Sequence, residues 1–135
     1  MELKLVKILR FLIYCSAVVP LIIFSQFISP FHFGKVIIFR TLIEIAAVLY
    51  LLLALQDKRY WPKKNNILLA FLGFTLAFLV ATIFSVDRYQ SFWGTLERMG
   101  GWWSFLHYFV YFIILTAIMC TKEQWYRLLE MTVWV

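Results

Sequence analysis

Two ionisable side chains, Arg40 and Glu44, interrupt the apolar run over residues 36–55. A spacing of four places both on one face of a helix, where they can form an ion pair. Ionisable groups inside such a run usually face protein or water, and they often mark the path of a substrate or a proton. The spacing therefore predicts an intramembrane ion pair, which either fixes helix packing or serves a substrate or proton.

A second chemistry-bearing stretch, residues 85–101, combines two arginines, two acids, several hydroxyls, an indole and three glycines. Guanidinium groups are planar, permanently charged forks that suit phosphate. The aromatic rings of Tyr89 and Trp93 can stack on sugars, but aromatic residues are also expected wherever a chain leaves a membrane. Contact with a substrate and simple interfacial placement both remain open for this stretch.

His107 lies further along, among the aromatic residues that open the run 102–120. No second His, Cys or carboxylate stands at metal-ligand spacing beside it, so no metal is predicted. The sequence also has no nucleophile elbow, phosphate-binding glycine loop or dinucleotide fingerprint, and no cofactor is predicted. A hydrogen-bonded structural role is the simplest expectation for this histidine.

Composition indicates what must surround these residues. Of 135 residues, 64% are apolar and 15% charged, whereas a soluble domain carries about 25% charged residues. A soluble fold of this length could not bury so much apolar surface, so the lipid bilayer is the predicted partner. The net charge of +6 does not lie on one helical face with interleaved aromatic residues, which argues against nucleic acid.

Four apolar runs approach the roughly 20 residues that a helix needs to cross a bilayer. They cover residues 9–29, 36–55, 67–84 and 102–120. None alternates with period two, which favours helices over a barrel. We therefore predict a single transmembrane region over 1–135, an all-α polytopic helical bundle of about four spans.

Basic residues predict the orientation of this bundle. Nine flank the runs on one side and three on the other, and loops rich in Lys and Arg remain in the cytoplasm. The nine are Lys4, Lys7, Arg10, Lys58, Arg59, Lys63, Lys64, Lys122 and Arg127. A multi-pass protein of the bacterial inner membrane is predicted, with a cytoplasmic N-terminus, an outer loop at 85–101, and a second loop attracted to anionic inner-leaflet lipid.

The residues after the fourth run predict a short surface helix. Thr121 and Gln124 have capping-box spacing, and Trp125, Leu128 and Leu129 then share a face, as in a helix lying on a membrane. Residues 131–135 resemble the start of a fifth span and indicate a truncated chain. Cys15 and Cys120 are expected to be reduced packing residues.

The outer loop carries a family resemblance. Its pattern S-x-x-x-x-x-S-F-W-G-x-x-x-R-x-x-G begins at Ser85 and ends at Gly101. It resembles a phrase in the N-terminal part of the bacterial O-antigen ligase and polymerase family, where it lies between an early span and an aromatic-rich one. Residues 121–129 also resemble the segment that comes after the aromatic-rich span in that family, so the resemblance covers residues 36–135.

The resemblance implies a membrane glycosyltransferase that moves a glycan from a polyprenyl-diphosphate carrier to an acceptor at the periplasmic face. It assigns Arg88, Trp93, Gly94 and Arg98 to outer-loop scaffold or substrate-lining positions. Catalysis in the family is assigned mainly to a downstream periplasmic loop, so this polypeptide alone is expected to be inactive and to need the remaining spans of a longer chain. A small non-enzymatic membrane subunit or assembly protein, and a transporter fragment, are the alternatives.

Overall fold

The structure is a computed structural model that describes residues 2–22, 33–95 and 98–134. These residues form six α-helices joined by turns, without a strand, which confirms the all-α prediction for the described part of the chain. The helices are α1 (Glu2–Val18), α2 (Phe33–Gln56), α3 (Asn66–Ile83), α4 (Arg88–Trp93), α5 (Trp102–Ile118) and α6 (Lys122–Trp134). Short 3₁₀ turns cover Val19–Leu21 and Lys58–Tyr60.

Helix α1 differs from the predicted first span. It starts at Glu2 and includes Lys4 and Lys7, which precede the predicted span, as well as Arg10 just inside it. It gives way to the 3₁₀ turn Val19–Leu21, because Pro20 has no backbone N–H to donate to an α-helical hydrogen bond. The remainder of the predicted span, residues 23–29, lies outside the described residues.

The next three long helices agree with the predicted runs to within three residues at each end. Asn65 caps α3 by accepting a hydrogen bond from the Ile67 amide at 3.2 Å, as asparagine commonly does at this position. Helices α2 and α3 are long and apolar enough to cross a membrane, whereas α5 is apolar but has only 17 residues. Local sequence therefore determines these bounds well.

A buried apolar cluster joins four of the helices. It lies where α1, α2, α5 and α6 meet, and its members recur at spacings of three and four along each long helix, as one face of a helix requires. They are Val6, Leu9, Ile13, Ala17, Ala46, Tyr50, Leu53, Ile114, Leu115, Ile118, Met119 and Leu128. Outside this cluster, Ser16 bonds Tyr111 at 3.1 Å and ties α1 to α5.

Helix α5 lies between α2 and α3 and packs against both. Contacts of α2 with α5 advance along both helices together, from Arg40 with Ser104 to Glu44 with His107, so these two helices run parallel. Contacts of α3 with α5 advance in opposite directions, from Phe78 with Phe105 to Phe71 with residue 112. Helix α3 therefore runs antiparallel to α5.

The predicted capping box after α5 is confirmed. The Gln124 amide donates to the Thr121 hydroxyl at 3.4 Å, and the Gln124 side chain accepts from the Thr121 amide at 3.3 Å. Helix α6 continues without a break to Trp134, so residues 131–134 belong to this helix instead of opening a separate one. Of the predicted apolar face, Leu128 is buried, while Trp125 donates to the Met119 carbonyl at 2.9 Å.

Candidate functional site

The polar centre of the molecule lies where α2 faces the first two turns of α5. Arg40 Nη2 donates to the Met99 carbonyl at 3.0 Å and to Ser104 Oγ at 2.6 Å. Ser104 in turn donates to the same Met99 carbonyl. Arg40 Nε is buried without a partner among the described residues, so the guanidinium is bound through one of its nitrogens only.

The predicted ion pair between Arg40 and Glu44 is not formed among the described residues. No oxygen of Glu44 lies within 4.0 Å of the guanidinium; the carboxylate pairs with His107 instead. The reason is geometric, since Arg40 binds the Met99 carbonyl in the loop before α5 and the Ser104 hydroxyl on α5, while Glu44 meets the His107 imidazole one turn further on. Each side chain thus finds its partner across the interface.

A hydrogen bond joins Glu44 to His107. The ring nitrogen Nδ1 of His107 lies 2.7 Å from the Trp103 carbonyl, which can only accept, so Nδ1 carries a hydrogen. The other nitrogen, Nε2, lies 3.2 Å from Glu44 Oε1. A hydrogen bond there needs a second proton, either on the imidazole or on the carboxyl group, and in both arrangements the pair as a whole is neutral.

The two partners differ in their surroundings. The His107 side chain is 6% exposed, but the Glu44 side chain is 58% exposed. A groove of about 300 Å³ runs beside them, and its other lining residues are apolar: Ile43, Ala47, Trp103, Leu106 and Val110. The pair therefore presents a polar group to an apolar groove at the surface of the bundle.

The loop before α5 is closed by a backbone crossing. Gly94 has φ 85°, a conformation that favours glycine, and a methyl group there would collide with backbone atoms of Met99, Gly100 and Gly101. A methyl group on Gly101 would collide with the backbone of Phe92 and Gly94, whereas one on Gly100 would meet open space. Two glycines of the family-like pattern are therefore needed for chain packing.

Met99 completes this closed loop with φ 48°, which is uncommon for a residue with a side chain. Its amide bonds the Thr95 carbonyl at 2.7 Å, and its own carbonyl accepts from Arg40 and Ser104. These three contacts hold the residue in its unfavourable backbone conformation. Arg40 therefore connects the loop to α2 and stabilises its shape.

An aromatic cluster covers the polar centre. Phe92 stacks on Trp103 with centroids 5.9 Å apart and contacts Trp102 at 5.5 Å. Trp93 lies 6.0 Å from Trp103, which in turn meets the His107 ring edge-on at 5.0 Å. Contacts thus run without interruption from the short helix α4 to the Glu44–His107 pair.

The four positions that the family resemblance singled out have different environments. Gly94 serves the backbone crossing, and Trp93, 44% exposed, belongs to the aromatic cluster. Arg88 is the first residue of α4, and its side chain is exposed. The cap of that helix is the preceding residue, Asp87, which accepts a hydrogen bond from the Gln90 amide at 2.9 Å. Arg98 is also exposed, and neither arginine forms a salt bridge with a described residue.

The sequence indicated Arg40 and Glu44 as a pair and His107 by itself, but not the partners that these side chains have in the structure. Ser104 and the Met99 carbonyl carry no motif, and the separation of 63 positions from Glu44 to His107 excludes any local spacing rule. One feature of the sequence does point to the Glu44–His107 contact: both side chains are ionisable and lie in apolar runs, so each needs a polar partner. Within the described residues, no three His, Cys, Asp or Glu side chains gather to hold a metal ion.

Comparison with known proteins adds no relative. No family model, curated protein or solved structure matches the chain.

Proposed function

We propose that the chain is inserted in a lipid bilayer as a multi-pass helical bundle. The observation that carries this proposal is the inverted polarity of α3, whose two buried residues are threonines while its leucines, isoleucines and phenylalanines are largely exposed. A core helix of a soluble protein buries its apolar side chains, but only 11% of this apolar stretch is buried, and 22% of that in α2. Small polar residues at helix contacts and apolar residues facing outward are typical of membrane bundles.

The helix directions support alternating crossings by three of the four proposed spans, α2, α3 and α5. Parallel α2 and α5, with α3 antiparallel to α5, is the order that successive crossings produce. The end of the bundle that holds Arg59 and Lys63 also holds Cys120 at the end of α5. Since nine basic residues are assigned to this end, the positive-inside rule favours a cytoplasmic location for it and a periplasmic location for residues 85–101.

We further propose that this bundle is the N-terminal membrane portion of a glycosyltransferase that uses polyprenyl-diphosphate-linked glycans. When a glycan leaves such a carrier, the bond between its anomeric carbon and the diphosphate breaks, and negative charge remains on the diphosphate. Fixed positive groups stabilise that charge without covalent chemistry. The observation that supports the proposal is the pair of exposed arginines, Arg88 and Arg98, on a loop closed by its glycines beside an exposed indole.

The test is binding of an unglycosylated polyprenyl diphosphate to the purified chain in detergent. We expect the double variant R88Q/R98Q to bind at least about tenfold more weakly, since hydrogen bonds to charged groups contribute about 1.5–3 kcal/mol each. The matched control is K58Q/K64Q, which removes the same charge at the opposite end. An equal loss of affinity in both variants would mean that overall charge, and not the loop arginines, determines binding. In a separate assay, glycan transfer by this chain alone would contradict the expectation that it is inactive.

A second candidate function is proton-coupled transport, which the Glu44–His107 pair favours. A carboxyl group and an imidazole that are hydrogen-bonded beside a groove can exchange a proton with a passing substrate. Glu44 exposes 58% of its side chain, so one partner is accessible from the groove. Substrate uptake into proteoliposomes that depends on a pH gradient and is lost in Glu44→Gln would favour this function over glycan transfer.

A further inference from the structure

A second groove lies at the opposite end of the bundle, between the α2–α3 loop and the end of α5. It measures about 220 Å³. Two cations, Arg59 and Lys63, stand at its mouth with Trp61, whose indole is held by a 2.9 Å hydrogen bond from Nε1 to the Ala54 carbonyl. The groove is separate from the polar centre around Arg40 and is not used by the proposed transfer reaction.

Charge at the mouth of this groove is positive. Arg59 is 89% exposed, and only its Nε lies near a carboxylate, 3.8 Å from Asp57. Asn65 also lines the groove and caps α3, so the first turn of that 18-residue helix and its positive dipole end face the same place. Two side-chain cations and a helix start therefore favour an anion here.

The walls behind the mouth have a different chemistry. Leu68 from α3 and Phe112 and Ala117 from α5 are apolar, and the hydroxyl of Thr116 is already bonded to the backbone of its own helix. A ligand with an anionic group for the mouth and an apolar chain for the walls matches both parts of the groove. A free phosphate would match only the first part.

We propose that this groove binds one anionic phospholipid, with its phosphate at Arg59 and Lys63 and an acyl chain along Leu68 and Phe112. The inference rests on the bilayer insertion proposed above and not on glycan transfer. It goes beyond general attraction of basic residues to an anionic leaflet, because Lys58 and Lys64 belong to the same loop but do not line the groove.

Cys120 gives a direct readout, because it lines the groove and its thiol is exposed. The rate of its modification by a maleimide, monitored by peptide mass, is measured in phosphatidylcholine bilayers with and without phosphatidylglycerol. We expect phosphatidylglycerol to slow the reaction about tenfold in the unaltered chain and in K58Q/K64Q, but not in R59Q/K63Q, because only Arg59 and Lys63 line the groove together with Cys120. The two double variants have equal net charge, so non-specific attraction is matched.

Every other result overturns the proposal. If phosphatidylglycerol protected Cys120 equally in both double variants, the protection would result from the overall charge of the loop. If inorganic phosphate alone protected Cys120 in detergent, the groove would be a simple anion site and not a phospholipid site. If the double variant does not fold, the single variants R59Q and K63Q make the same comparison with K58Q and K64Q. Flotation of the chain with vesicles tests bilayer insertion separately, so loss of lipid selectivity in a floating chain contradicts the groove proposal alone.

Discussion

At the scale of single residues, Arg40 connects α2 to the loop before α5. Its contacts with Met99 and Ser104 hold a residue in left-handed backbone conformation. We expect Arg40→Gln to increase the rate of tryptic cleavage after the exposed Arg98 about tenfold, because charge-assisted hydrogen bonds contribute about 1.5–3 kcal/mol. Arg88→Gln is the control, since it removes an exposed arginine without such contacts; an unchanged rate in Arg40→Gln would exclude the role.

Glu44 and His107 are coupled by a single contact, which a double-mutant cycle can isolate. We expect the stability losses of Glu44→Ala and His107→Ala to be non-additive by about 0.6 kcal/mol, a typical value for hydrogen bonds between membrane helices. Unfolding in detergent measures this, with Glu123→Ala on α6 replacing Glu44→Ala in a control cycle that should show no coupling.

A substitution in the same pair tests whether Glu44 serves helix packing or substrate binding. We expect Glu44→Gln to lower stability more than affinity for a polyprenyl diphosphate, because the contact lies on the interface of α2 with α5 and not on the loop that carries Arg88 and Arg98. Measuring both quantities in one preparation checks this. Normal protein levels combined with abolished affinity would reverse the ranking.

At the scale of elements, the glycines of the loop 94–101 have different tasks. We expect Gly101→Ala to destabilise the folded loop by about 1–3 kcal/mol, the usual cost of overpacking, because its methyl group would collide with the backbone of Phe92 and Gly94. Gly100→Ala should stay within about 0.5 kcal/mol, since open space surrounds it. Near-ultraviolet circular dichroism of the tryptophan cluster during heating reports both.

Elements and side-chain partners differ in how well the sequence predicts them. Apolar runs bounded by Asn65 and Gly101 give the bounds of α3 and α5 closely, and the Thr121–Gln124 capping box forms because it depends on local spacing alone. The first helix extends in front of the predicted apolar run, which begins at residue 9. Helix α1 begins at Glu2, because lysine and glutamate are good helix formers and extend the helix beyond the apolar run.

Partners across helices were not predictable in the same way. The choice of His107 over Arg40 as the partner of Glu44 depends on how α2 and α5 are aligned. That alignment results from the packing of the whole buried cluster, to which no single spacing in the sequence corresponds. The chemistry-bearing residues were identifiable one by one, but the site they form was not.

At the scale of the whole molecule, the proposals about the outer loop depend on which side of the bilayer each end faces. In a background where Cys15 and Cys120 are replaced by serine, a single cysteine is placed at Gln90 on α4 or at Lys64 in the second loop. Both side chains are exposed and both positions lie outside the long helices. In intact cells we expect a membrane-impermeant maleimide to label Gln90→Cys and to label Lys64→Cys only after the membrane is opened, because the remaining basic residues Lys58, Arg59 and Lys63 hold the second loop inside. The reverse pattern would place Arg88 and Arg98 in the cytoplasm, away from the periplasmic face on which the proposed glycan transfer takes place, and that function would then be excluded for this loop.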